Sequence, residues 1–203
     1  MTTSRKGSKG SRGKEARNQL RIIAGQWRRR RLAFPDVPDL RPTADRVRET
    51  LFNWLQAQVP GARCLDLYAG SGACGLEALS RDASSVLFVE RSRVAAEAIR
   101  ENLSLLKAEN GRVLCSDVES WLPAGPAAAG QEPFDLVFID PPYGSGRLPT
   151  VCALLESAGW LRPDARIYLE SGHPVTADQL PEGWQVIRSG RAGQVHYSLC
   201  QTR

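Results

Sequence analysis

From residue 61 onward the apolar positions of the chain switch between two periods. Short runs rich in Val, Leu, Ile and Phe have the length of buried strands: "RCLDLYA" (63–69), "SVLFVE" (85–90), "RVLCSD" (112–117), "FDLVFID" (134–140) and "ARIYLES" (165–171). Between them lie helical stretches: "GACGLEALSR" (72–81), "RVAAEAIRENLSLLKA" (93–108), the short "VESWL" (118–122) and "LPTVCALLESAGW" (148–160). "GPAAAGQEP" (125–133) reads as a loop. This alternation predicts an α/β, Rossmann-like fold: a mostly parallel seven-stranded sheet with helices on both faces. The stretch "WQVIRSGRAGQVHYSLCQ" (184–201) changes character, with two alternating runs around a Gly-rich turn. It predicts a C-terminal antiparallel hairpin added to the sheet.

Upstream, "LRIIAGQWRRRRLAF" (20–34) reads as a small N-terminal β-hairpin, with Leu20, Ile22 and Ile23 supplying one side and Leu32 and Phe34 the other. Pro35, Pro38 and Pro42 mark a loop. Thr43 stands where a side chain caps a helix, and Asp45 falls in the first turn, where the dipole favours an anion. Val47, Leu51, Trp54, Leu55 and Gln58 form a stripe through "ADRVRETLFNWLQAQ" (44–58), which Pro60-Gly61 stops. Residues 1–18 have almost nothing to bury and are expected to be disordered. The expected organisation is a basic tail, 1–18, a hairpin-and-helix extension, 19–60, and an α/β domain, 61–203.

A chain of 203 residues can bury a core without disulfides or metal. The five cysteines are odd in number and form no C-x-x-C pair, and His173 and His196 stand alone. The expectation is buried thiols, with no disulfide framework and no metal site. No apolar run approaches the roughly 20 residues of a bilayer span, and no apolar segment follows the basic N-terminus as in a secretory signal. A cytoplasmic location is expected, without membrane association. The net charge of +5 is uneven: residues 1–31 hold eleven Lys/Arg against one acid, Glu15, while the other 172 residues hold 16 bases and 21 acids. A basic arm on a mildly acidic body suggests a polyanion, most simply nucleic acid; the plainer alternative is a solubilising tail.

Two motifs carry chemistry. In "LDLYAGSGACG", Gly70, Gly72 and Gly75 have G-x-G-x-x-G spacing directly after a strand and at the start of a helix, where the backbone can turn tightly and approach a ligand. Glu90 ends the next strand, where an acid can accept both hydroxyls of a ribose. NAD and S-adenosyl-L-methionine both use such a corner. Asp66, just before the glycines, is an awkward neighbour for a pyrophosphate but suits the ammonium of an amino-acid ligand, directly or through water. Asp117 can accept a bond from the adenine amino group, or simply cap the "VESWL" helix. These features favour S-adenosyl-L-methionine. The cofactor set is Asp66, Tyr68, Ala69, Gly70, Ser71, Gly72, Gly75, Glu90, Arg91, Asp117, Val118 and Asp140.

The second motif is Asp140-Pro141-Pro142-Tyr143 at the end of the fourth strand. The prolines stiffen the turn and aim the Pro141 carbonyl. Asp140 and that carbonyl can accept the two N–H bonds of an exocyclic amine, which orients the nitrogen lone pair and stabilises the positive charge that grows in the transition state. Tyr143 can stack on the base, worth roughly 1–3 kcal/mol. Asp140, Pro141 and Tyr143 are therefore the catalytic candidates. The plainer alternative is a rigid Pro-Pro loop with an exposed tyrosine.

With these motifs placed, the chain resembles the D/N-P-P-Y/F class of S-adenosylmethionine-dependent methyltransferases. Through "RIIAGQWRRRRL", "LRPTADRVRETLFNWL", "CLDLYAGSGACGLEALSR", "FIDPPY", "GWL" and "AGQVHYSL" it is similar to the RsmD family of bacterial 16S rRNA guanine-N2 methyltransferases. The resemblance implies methylation of guanine 966 (standard rRNA numbering) in 16S rRNA within the small ribosomal subunit, by a monomer. It also implies that the N-terminal hairpin and the Arg-rich helix lie near the substrate. Arg21, Arg28, Arg30 and Arg31 are then candidates for phosphates, with Arg41, Thr43, Arg46, Arg48 and Tyr143 nearer the transfer site. Arg29 stands where the family pattern has glycine, so a turn with positive φ there would be strained. Other readings are a methyltransferase for DNA adenine or protein glutamine, a nicotinamide dehydrogenase, and a non-catalytic RNA-binding assembly factor.

Overall fold

The computed structural model describes residues 18–37, 43–142 and 144–203. Residues 1–17 of the expected tail, Arg41 and Tyr143 lie outside the described residues, while Asn18 already belongs to a strand. The first hairpin pairs β1 (Asn18–Arg21) with β2 (Arg31–Phe34), and α1 (Asp45–Trp54) follows. The main domain runs β3 (Arg63–Leu67), α2 (Ala73–Ser80), β4 (Ser85–Glu90), α3 (Arg93–Leu106), β5 (Gly111–Cys115), α4 (Val118–Trp121), α5 (Gly125–Ala128), β6 (Phe134–Ile139), α6 (Leu148–Ser157), β7 (Leu161–Ser171), β8 (Gln185–Ala192) and β9 (Val195–Gln201). Its seven strands stand in the order β5-β4-β3-β6-β7-β9-β8. The β3, β4, β5, β6 and β7 pairings are parallel, and β9 is antiparallel to both neighbours. The expected fold class is therefore the observed one.

Side-chain alternation divides the core. Cys64, Phe88, Leu136, Phe138, Tyr168 and Leu199 face one layer together with α1, α2 and the first hairpin. Leu65, Leu67, Val137, Ile139, Ile167 and Leu169 face the other, against Val118, Leu122, Val151, Leu155 and Trp160. The chain moves outward from β3 to β5 and then returns to the far side of β3 with β6. A crevice opens at such a reversal, at the carboxyl ends of β3 and β6.

Several elements differ from expectation for local reasons. Helix α1 ends at Trp54 rather than Gln58, with Leu55 as its C-cap. Ala44 is its N-cap and no side chain caps it, so Thr43 does not have the expected role. Strand β7 begins at Leu161, four residues early, and contains Asp164 at φ 61 and a register shift opposite Phe134–Leu136. The expected loop 125–133 includes a helical turn, α5. In the first hairpin, Leu20, Ile22, Leu32 and Phe34 are all buried in one layer.

The connection between β1 and β2 clamps the end of α2. Gln26 N–H donates to the Ser80 carbonyl at 2.8 Å, Trp27 N–H to Ser80 Oγ at 3.1 Å, and Ser80 Oγ–H to the Ala24 carbonyl at 2.6 Å. Gly25 has φ +78, and a Cβ there would lie 1.7 Å from the Ser80 carbonyl oxygen, so only glycine permits the contact. Buried Glu77 accepts the Ile23 and Ala24 N–H groups at 2.8 and 3.0 Å. It also accepts Arg81 Nε at 2.8 Å and lies 3.5 Å from Arg48 Nη1.

Arg48 is 1% exposed, so the expected substrate contact is corrected. Its guanidinium is turned inward, onto the Thr43 and Arg21 carbonyls, Asp45 and Glu77. A buried arginine in such a network is structural, because freeing it would leave carboxylates and carbonyls without partners.

Arg29 adopts φ 68, as the missing glycine forewarned. A side chain in this region costs about 1–2 kcal/mol, partly offset because glycine is more flexible when unfolded. Arg29→Gly is expected to raise stability by about 0.5–1 kcal/mol. Urea unfolding checks this; an unchanged or lower midpoint would contradict the strain.

Candidate active site

The carboxyl edge of the sheet gathers the residues that the two motifs singled out. After β3 the chain turns sharply, with Tyr68, Gly70 and Gly72 at φ 57, 54 and 74. Gly72 N–H donates to the Ala69 carbonyl at 2.6 Å and becomes the left-handed N-cap of α2. Gly75 is required for a different reason: a Cβ would sit 2.2 Å from the Phe88 ring and 2.9 Å from Asp66 Oδ2. Ala69 and Ser71 are buried within this turn.

Asp66 is buried beneath the turn and accepts the Gly75 N–H at 2.9 Å. Burial raises its carboxyl to about 8, the Gly75 N–H works against that rise, and the Glu90 charge adds to it. Glu90, the last residue of β4, accepts Gly70 N–H at 2.8 Å on one oxygen and Ser92 N–H at 2.7 Å on the other. It thus fixes the glycine turn, and each oxygen retains a lone pair for a ligand hydroxyl.

Asp117 caps α4, with Oδ1 accepting Ser120 N–H at 3.0 Å and Oγ–H at 3.1 Å. Its Oδ2 lies 3.8 Å from Arg147 Nη1, which donates to Glu119 Oε2 at 2.5 Å. The two ion pairs tie the segment after Asp140-Pro141 to the end of β5. Neither Arg147 nor Glu119 was a sequence candidate. Val118 is buried behind Asp117, while Arg91 is exposed at the start of the loop into α3.

Asp140 follows β6 directly, with Pro141 and Pro142 half-buried after it. Burial, then the charges of Glu170 and Asp66, hold its carboxyl well above the usual range. Glu170 is a residue that the sequence did not single out. It lies on β7, 7% exposed, and accepts Tyr168 Oη–H at 2.8 Å. Burial raises it too, opposed by the hydrogen bonds from Tyr168 and Thr43. Thr43 Oγ1 also lies 3.9 Å from Cys74 Sγ, at the start of α2. Thr43 therefore lies at the site, through Glu170 rather than as a helix cap.

The arginine candidates separate by position. Arg21 is exposed and its guanidinium bonds Asp45 at 3.0 and 3.2 Å. Arg28, Arg30 and Arg31 are exposed on or beside the turn clamped to the end of α2. That end is about 12 Å along the helix from the glycine turn, at 1.5 Å per residue. Arg46 is exposed in the first turn of α1, three residues after Thr43.

The donor set fits a cationic adenosyl ligand. Buried Asp66 would oppose a pyrophosphate, and the left-handed Gly70 and Gly72 let the backbone turn tightly above it. The residues that would hold S-adenosylmethionine are Asp66, the glycine turn, Glu90 and Asp117.

Comparison with known proteins agrees with this geometry. The family model "Conserved hypothetical protein 95" matches residues 20–201. "Ribosomal RNA small subunit methyltransferase D" of Escherichia coli K12 is 48% identical over 183 residues, covering 90% of each chain. The protein of the same name from Haemophilus influenzae is 40% identical over 190 residues, 92% of this chain and 95% of its own. The solved structure of the putative methyltransferase yhhF from Escherichia coli superposes with a TM-score of 0.81 at 48% identity, covering 92% of this chain and 99% of that one. A glycine turn over a buried acid, a DPP strand end at the sheet reversal and this extent of similarity place the chain in the ribosomal RNA small subunit methyltransferase D family.

Proposed function

We propose that the protein transfers a methyl group from S-adenosyl-L-methionine to the exocyclic N2 of a guanine in 16S rRNA, guanine 966 in standard numbering, within the small ribosomal subunit. The observation that carries the proposal is Asp140-Pro141 beside β3's glycine turn at the sheet reversal, with Asp66 and Asp140 carboxyls near enough to influence each other. The names of the relatives support rRNA as substrate, and the resemblance of the Arg-rich block supports guanine.

When bound, S-adenosylmethionine supplies an electrophilic methyl on a sulfonium. The chain's own residues hold and orient. Asp66 would take the ligand's ammonium, Glu90 the ribose hydroxyls and Asp117 the adenine amino group. The Asp140 carboxylate and the Pro141 carbonyl would accept the N–H bonds of the target amine. That directs its lone pair at the methyl and stabilises the positive charge developing on nitrogen. Tyr143, outside the described residues, is proposed as the stacking platform for the base. Arg28, Arg30 and Arg31 would meet phosphates at a distance from the reacting base, fixing register rather than reading sequence. The protein is proposed to act as a monomer in the cytoplasm. Among the described residues, no helix is long and apolar enough to cross a membrane.

Labelled S-adenosylmethionine offered with undermethylated small subunits, free 16S rRNA, DNA and total protein tests the proposal. Label is expected in the 16S rRNA of subunits, at guanine N2; label confined to DNA or protein would overturn it. In the same assay Asp140→Ala is expected to lower turnover roughly 100–1,000-fold while preserving cofactor affinity. Undiminished turnover would remove Asp140 from the mechanism.

Substituting Arg28, Arg30 and Arg31 by serine is expected to weaken RNA binding and to lower its salt slope by about one for each phosphate no longer neutralised. The dependence of log Kd on log salt measures this, and an unchanged slope would exclude the turn from the interface.

Asp66 predicts a pH effect. With its carboxyl raised to about 8, the folded protein holds a proton that the unfolded chain has lost, so unliganded stability falls as pH rises from the ordinary carboxylate range through about 8. A cationic ligand favours the ionised form, so cofactor affinity is expected to rise across that window. Calorimetry at several pH values should show the rise in the native protein and its flattening in Asp66→Asn.

A further inference from the structure

Strands β6 and β7 run parallel with Phe138 paired to Tyr168 and Ile139 to Leu169. Just beyond that pairing, Asp140 follows the end of β6 while Glu170 continues β7, close enough for the Glu170 charge to act on Asp140. They continue the face of Phe138 and Tyr168, whose ring centroids are 6.5 Å apart. Glu170 is therefore aimed at the same side of the sheet as the DPP acceptor. It is held there by Tyr168 Oη–H at 2.8 Å. Orienting the amine by Asp140 and Pro141 gives this buried acid no task.

Among the described residues, nothing is seen to neutralise the pair. Asp66 from β3 adds a third carboxylate, and Cys74 from α2 and Tyr168 from β7 are held as neutral thiol and phenol. Tyr197 of β9 is the register partner of Glu170. The nearest buried cation, Arg48 of α1, is engaged by Glu77 and Asp45. The Glu170 charge therefore adds to the burial that raises Asp140, and the ionisations of such neighbours are coupled.

We propose that Glu170 is a positioning residue of the transfer site, whose carboxylate beside Asp140 keeps Asp140 a strong proton acceptor for the target amine. The inference rests on the methyltransferase function proposed above and deepens it. As the N–C bond forms, the C–S bond breaks and its electron pair neutralises the sulfonium. The nitrogen then carries one proton too many, and that proton passes from nitrogen to an Asp140 oxygen and on to solvent. A neighbouring negative charge makes Asp140 more basic at the moment it is needed. Without that charge, Asp140 would still orient the amine but would accept its proton less readily.

The test is single-turnover transfer from labelled S-adenosylmethionine to undermethylated small subunits, followed across pH for the native protein and Glu170→Gln. Removing the like charge makes Asp140 ionise more easily. The acidic limb of the rate profile is therefore expected to move to lower pH, while the plateau rate falls about tenfold and cofactor affinity is kept. A limb that stays in place overturns the proposal, whether the rate is unchanged or uniformly reduced, since packing alone would not move it. If Glu170→Gln does not fold, Tyr168→Phe serves instead. Its hydroxyl donates to Glu170 and favours the Glu170 anion, so its loss is expected to move the limb the same way by less, and a fixed limb again overturns the proposal. A native protein that binds cofactor but transfers nothing to subunits overturns both this inference and the proposed function. A native protein that transfers, with a limb that no variant moves, overturns this inference alone.

Discussion

Glu77 is the interaction on which the arrangement of the whole N-terminal extension depends. It lies fully buried in the middle of α2 and binds elements distant in sequence: the backbone at Ile23 and Ala24, Arg81 one turn on, and Arg48 from α1. A lone buried carboxylate would be untenable, and here each partner loses its own hydration in exchange for the same anion. Removing one side of such a pair typically costs about 3–5 kcal/mol, whereas an exposed ion pair contributes below about 1. Glu77 thus links the hairpin and α1 to α2, beside the clamp that Ser80 makes on the hairpin connection. That junction places Thr43 against Cys74 and Glu170, so a structural contact in α2 determines what stands beside the transfer site.

The site itself is assembled by sheet register. Asp66, Asp140 and Glu170 come from three adjacent parallel strands, and parity places all three side chains on one face. Without a ligand such acids are costly to ionise: burial raises both Asp66 and Asp140, and at Asp140 the charges of Glu170 and Asp66 add to it. A ligand with a sulfonium and an ammonium relieves it, whereas a dinucleotide would worsen it. The preference for a positively charged cofactor therefore resides in the spacing of the strands as well as in the glycine fingerprint.

Much of this was legible in the sequence. The alternating periods established the α/β class, because buried parallel strands and amphipathic helices leave distinct patterns. The glycine turn, Glu90, Asp117 and the DPP segment stood out as candidates because each lies at or just beyond the end of a strand, and the carboxyl edge of such a sheet is where ligands bind. Glu170 escaped although it also lies near the end of a strand, in "ARIYLES". Its importance comes from β7 lying next to β6, and neighbour relations in a sheet are not written in local pattern. Arg48 was misplaced for a related reason. On a helix rich in arginine, nothing local distinguishes the one turned toward a buried glutamate from those facing solvent, and Glu77 itself sits within an otherwise small, apolar helix. Arg29 shows the reverse case, where a single departure from an expected glycine correctly anticipated a left-handed residue.

Strand β9 has a consequence for how the molecule comes into being. It is made after β8, yet it inserts between β7 and β8 and pairs along both edges. During synthesis the edge of β7 that will meet β9 is therefore open when β3 to β7 are complete, presenting unpaired backbone groups like any exposed edge strand. Tyr197 reaches Glu170 only when β9 docks. The glycine turn and the DPP strand end can form on the growing chain, but the wall behind Glu170 closes last, so the acquisition of a competent site is timed by the arrival of the C-terminal hairpin.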